Sequence, residues 1–168
     1  MTLKIAGWAG LIGILAAGCV SLAARAPVRP AAGQSGVQMV QDQARCQQYA
    51  LGQARHREDH YVACMIASGY AVNWDLDELD WVIGVMQTRA HDAPTVMTDL
   101  AECDRQADNA KKTTTIPPLP PDLERVVSGE TTSPGFEGFN RRPLASRMLV
   151  ACLLERGYAV TARVPYDR

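Results

Sequence analysis

The sequence predicts an all-α fold: two disulfide-stapled helical hairpins joined by a linking helix. Three observations carry that prediction. ACMIASGYAV at residues 63–72 is nearly repeated as ACLLERGYAV at residues 151–160. Asp42-x-Ala44-x-Cys46-x-x-x-Ala50 recurs as Asp99-x-Ala101-x-Cys103-x-x-x-Ala107. Apolar residues fall at helical rather than alternating spacing through most of the chain.

The chain opens with Met-Thr-Leu-Lys followed by IAGWAGLIGILAAG. A single positive charge before a short apolar run has the form of a secretory signal, and the run is too short to span a bilayer comfortably. It ends in Leu15-Ala16-Ala17-Gly18-Cys19, which resembles the lipobox of bacterial lipoproteins. The resemblance implies that residues 1–18 are removed as a signal peptide and that the Cys19 thiol carries a diacylglycerol, the new terminus being acylated with a fatty acid such as palmitate. Two or three chains on one residue hold a membrane durably, because each buried methylene contributes roughly 0.8 kcal/mol. Val20 stands where the family's inner-membrane retention signal would place Asp. By resemblance this favours the periplasmic face of the outer membrane. The later Cys…Cys-Met-x-x-x-Gly-Tyr arrangement is similar to motifs of small uncharacterised proteobacterial lipoproteins, and implies no activity.

Cleavage leaves residues 19–168, enough for one domain or two small helical units. With Lys4 removed, 16 basic residues stand against 18 acidic ones, a formal charge of about −2, so no basic excess argues for nucleic acid. Of the five cysteines, lipidation takes Cys19. Cys46, Cys64, Cys103 and Cys152 remain, an even number in a compartment where disulfides persist. Four cysteines permit three pairings. The repeat makes Cys46–Cys64 and Cys103–Cys152 the simplest, each bond joining two antiparallel helices of one unit.

Residues 19–36 are small, polar or proline-bearing and read as a lipidated tether; 17 flexible residues span roughly 23 Å. Unit 1 covers residues 37–72: a helix from Val37 to about Arg55, a turn near Gly52 to Glu58, and a second helix carrying Tyr61, Cys64, Met65 and Ser68. Gly69 supplies the left-handed residue that ends it, with Tyr70 folding back as a packing residue. Residues 73–92 read as the linking helix, capped by Asp75 with Glu78 at N3. Leu76, Leu79, Val82, Ile83 and Met86 form its stripe, and Trp74 and Trp81 help bury it. Unit 2 covers residues 93–168. It restarts after His91-Asp92-Ala93-Pro94, and Val96, Leu100, Cys103, Ala107 and Ala110 form a clean amphipathic stripe. An insertion at residues 113–143 holds six of the ten prolines and both phenylalanines and reads as a Pro-rich loop. Pro143 starts the last helix, which runs to Arg156 and ends in Gly157-Tyr158.

The chemistry-bearing residues are sparse. His56 and His60 stand four apart, a spacing that can chelate zinc on one helical face. They depart from H-E-x-x-H, with Glu58 in the third position and His91 the only further candidate ligand, so a solvated polar turn is the better reading. Asp75 to Asp80 lacks the glycine and alternating spacing of a calcium loop. No serine sits in a G-x-S-x-G elbow, and the cysteines are assigned to disulfides. No catalytic residue, metal or cofactor is therefore assigned, and an enzyme is not expected. Leu119, Phe136 and Phe139 in the insertion could dock into a partner's groove or fold back to cover the core. The function these readings support is a non-enzymatic, lipid-anchored envelope protein, a structural or assembly component that binds another envelope protein. The alternative is a periplasmic binding module for a small ligand or peptidoglycan.

Overall fold

A computed structural model describes residues 28–76, 81–110, 115, 118–127 and 143–161. The fold is mixed, with helices packed on an antiparallel sheet, which corrects the all-α expectation. In chain order the elements are β1 (Val28–Pro30), α1 (Gly36–Leu51), α2 (Arg57–Ala67), β2 (Tyr70–Leu76), β3 (Trp81–Gln87), α3 (Ala93–Asp108), α4 (Pro121–Val127), α5 (Pro143–Glu155) and β4 (Tyr158–Thr161). The sheet order is β1-β2-β3-β4 and every neighbouring pair is antiparallel.

The linking helix expected over residues 73–92 is not formed; β2 and β3 occupy most of that stretch and pair with each other, Val72 opposite Val85 and Trp74 opposite Ile83. The physical reason lies in a period of two that competes with the helical one. Tyr70, Val72 and Trp74 alternate with Ala71 and Asn73, and β3 is rich in β-branched residues. Asp75 sits in β2 opposite Val82, while Glu78 and Leu79 lie outside the described residues. The indole nitrogen of buried Trp74 donates to Asp59 Oδ1 at 3.4 Å.

Part of the expected tether also proves structured. Val28–Pro30 forms an edge strand, with Val28 opposite Val72. The amide of Gln34 then donates to the carbonyls of Ser68 and Gly69, fixing the approach to α1. Ser35 caps α1 and Asp92 caps α3, each side-chain oxygen accepting the N–H three residues on. Gly69 and Gly157 have φ of 84° and 88° and end α2 and α5 as the sequence predicts, and the tyrosine after each opens a strand rather than only packing.

These elements expose a duplication longer than the repeated motifs. Val28, Ser35, Asp42, Cys46 and Ala50 each have a counterpart 57 residues later in Val85, Asp92, Asp99, Cys103 and Ala107. Cys64, Gly69, Tyr70 and Val72 have theirs 88 residues later. The 31-residue difference is the insertion. Each unit is thus a β-α-α-β module: β1-α1-α2-β2 and β3-α3-α5-β4. The registers agree as well, since Val28 faces Val72 as Val85 faces Val160. Within the helical layer α1 packs on α2 and α3 on α5, while α2 also packs on α3 and joins the units. α2 lies on β2 and β3, and α5 on β4. Tyr61, Met65, Ile66, Leu100, Leu149 and Leu153 fill the core between these layers.

Candidate interaction face

Cys46 is bonded to Cys64 and Cys103 to Cys152, the pairing the repeat predicts, with Cα separations of 5.4 and 5.5 Å. Each bond ties the first helix of a unit to the second, and all four sulfur-bearing residues are buried. Beside each disulfide lies a carboxylate–phenol pair that the sequence reading did not anticipate. The Tyr70 hydroxyl donates to Asp42 Oδ2 at 2.9 Å, and the Tyr158 hydroxyl to Asp99 Oδ2 at 2.8 Å. Arg45 closes the first pair, 2.7 Å from Asp42 Oδ1, and Arg156 closes the second through Asp99 Oδ1. The signal was available, because the aspartates are the first residues of the repeated motif and the tyrosines follow the repeated glycines.

Burial pushes the Tyr70 phenol up to about 12, and the neighbouring Asp42 charge and hydrogen bond push the same way. Tyr158 is raised further by the same causes, burial first. Both phenols therefore stay protonated donors. A proton held so firmly does not serve acid–base chemistry near neutrality, and the duplicated placement suits a structural tie between helix and strand.

The histidines are not brought together. His56 is the left-handed residue before α2 and lies 3.6 Å from Asp59 through Nδ1. His60 meets the edge of Tyr49, with ring centroids 5.9 Å apart, whereas His91 stacks on Tyr158 in the other unit. Among the described residues no group of three His, Cys, Asp or Glu could hold a metal ion, and no helix is long and apolar enough to cross a membrane.

The insertion contains a short helix, α4, where a loop alone was expected. Leu119 is only 9% exposed and Leu123 7%, both within the core cluster, and Glu124 pairs with Arg147 of α5. Leu119 is thus core cover, not a residue offered to a partner. Phe136, Phe139 and Cys19 lie outside the described residues. α4 has a clear task. α2 is covered by α3 of the other unit, whereas among the described residues no second module lies against α5. Leu149, Val150 and Leu153 are nonetheless as buried as their counterparts Tyr61, Val62 and Met65, and α4 is the additional element packed on α5. The insertion closes one end of the repeat, as terminal caps do in longer arrays.

The other end carries the exposed apolar surface. Val37, Val40 and Leu51 on α1 are 72%, 62% and 52% exposed, with exposed Ala44 between them. At 3.6 residues per turn these four lie about 120° to 180° round the helix from Cys46, so they form one stripe away from the disulfide. The duplicate helix shows how unusual that stripe is. Counterparts of Gln47, Gln48 and Leu51 on α3 are Asp104, Arg105 and Asp108, an ordinary charged surface, and the counterpart of Val40 is Met97, partly buried against the core. Depletion of charge around exposed apolar side chains marks the core of an interaction surface. The apolar residues of α1 lie on two faces, Cys46, Tyr49 and Ala50 inward and the Val37 stripe outward, so its sequence shows little amphipathic contrast. Comparison of the chain with protein-family models, with curated proteins and with solved structures returns no match.

Proposed function

We propose that this protein is a non-enzymatic component of the cell envelope, anchored through lipid at Cys19 to the periplasmic face of the outer membrane, and that it supports structure or assembly by binding another envelope protein. The observation that carries the reading is the charge-poor apolar stripe of Val37, Val40, Ala44 and Leu51, on the first helix after the tether. A surface of that kind stays exposed when something is meant to cover it. Two buried disulfides accord with an oxidising compartment. Leu15-Ala16-Ala17-Gly18-Cys19 supplies the anchor. Because Val28–Pro30 already belongs to the sheet, only the short segment between Cys19 and Val28 separates the stapled domain from the membrane, which keeps the stripe close to it.

Two measurements test it. Intact mass of detergent-extracted protein should lack residues 1–18 and carry the acyl additions, and Cys19→Ala should abolish processing and membrane fractionation; unchanged mass and fractionation in that variant would end the lipoprotein reading. Crosslinking from α1 in native membranes should yield a stoichiometric protein adduct that Val40→Asp removes.

A further inference from the structure

We infer that the outer face of α1 is a self-association surface and that its partner is a second copy of this chain, met about a twofold axis. The inference rests on the proposed function and names the partner of the same face.

The duplication provides the argument. β1 and β3 are the same strand of the module, and α1 and α3 the same helix. β3 is paired on both edges, by β2 and by β4, and α3 packs against both α2 and α5. Among the described residues β1 is paired on one edge only, and α1 packs principally on α2. The first unit has, among the described residues, no counterpart of what the second receives from it. The stripe of α1 lies toward that missing neighbour, since Val40 occupies the place where Met97 packs against the core.

A head-to-tail neighbour would have to offer α5, which α4 already covers. Stacking in an open chain is thereby blocked at one end. The end left open meets its like, and an isologous contact buries the same residues from both copies. Charge permits it. The charged side chains of α1 are Asp42, which is buried, and Arg45, which lies about 100° from Cys46 on the opposite flank and is bonded to Asp42 and Ser68. Two α1 faces can therefore meet without opposing like charges. β1 has three residues and includes Pro30, so strand pairing adds little and the helix carries the contact. One helix face is small beside a standard interface, so confinement of both copies to one membrane supplies much of the association by raising effective concentration.

The test uses the full-length chain, exported and membrane-bound, with a photo-crosslinking amino acid at Val40 and, as control, at Ala101 on α3. Illumination should give from position 40 a species of twice the mature mass containing this chain alone, with the adduct mapped to residues 36–51, and nothing comparable from position 101. Val40→Asp with Leu51→Asp, both at exposed sites, should lower co-purification of two differently tagged copies at least tenfold while the circular dichroism spectrum is unchanged. An adduct to a different envelope protein would overturn self-association and leave the proposed function standing. An adduct to α5 would overturn the twofold arrangement. Absence of any protein adduct at position 40 would overturn both readings.

Discussion

Removing the second disulfide should cost more than removing the first, by an amount set by loop length. Cys46–Cys64 closes a separation of 18 residues and Cys103–Cys152 one of 49. The chain-entropy relation gives about 3.2 kcal/mol for the shorter loop and about 4.1 for the longer, a difference of about 0.9 kcal/mol. Local packing losses cancel in that difference, because both bonds join equivalent helices and all four cysteines are buried to a similar degree. The comparison is therefore between Cys46→Ala/Cys64→Ala and Cys103→Ala/Cys152→Ala, each unfolded in urea and followed by far-ultraviolet circular dichroism. A second arm isolates the cause. Deleting residues 114–141 shortens the second loop to about 21 residues and should shrink the gap to about 0.1 kcal/mol, even though loss of α4 weakens both variants. If the first-pair variant proved equally or more destabilised in the intact chain, loop entropy would not be what distinguishes the staples.

Four further outcomes follow from the packing. Tyr70→Phe and Tyr158→Phe each remove a donor from a buried carboxylate and should destabilise by about 1–3 kcal/mol in urea melts, the two effects adding because the sites lie in different units. With Tyr70 pushed up to about 12 from an ordinary value near 10, the native state holds its proton more tightly than the unfolded chain does. Stability present below about pH 10 should fall as pH rises toward 12, and tyrosinate absorbance should appear together with unfolding rather than before it. Gly69→Ala and Gly157→Ala place a Cβ at positive φ, where it also meets Gln34 Nε2 at 2.8 Å and Arg89 Cδ at 3.1 Å; each should cost about 1–2 kcal/mol, read as a lowered melting temperature. Leu119→Ala with Leu123→Ala should loosen α5 by at least about 2 kcal/mol and speed amide exchange at Leu149 and Leu153, whereas unchanged exchange there would deny α4 its role as a cap.

The disulfides, the helices that bear them and the glycines that end α2 and α5 were legible because their signals are local and duplicated. Cys103 at the centre of the Val96–Ala107 stripe needs no tertiary information to be placed. The sheet was not legible for a different reason. Residues 76–86 satisfy a helical period through Leu76, Val82, Ile83 and Met86, and only the alternation of Tyr70, Val72 and Trp74 with smaller or polar residues favours a strand. Pairing with β1 and β4, far away in sequence, decides between them. Val28–Pro30 is too short to announce itself at all. The apolar stripe of α1 was hidden by the second apolar face on the same helix, and became visible once α3 could serve as its counterpart.

The duplicated β-α-α-β module, joined through β2 and β3, underlies the disulfide comparison, the cap and the open face alike. Cross-strand nuclear Overhauser contacts in the oxidised protein test it most directly. They should connect Val72 with Val85, Val85 with Val160 and Val28 with Val72, with extended-backbone signatures through residues 70–76 and 81–87. Sequential amide contacts typical of a helix running through residues 76–89, with no contact between Val72 and Val85, would contradict it.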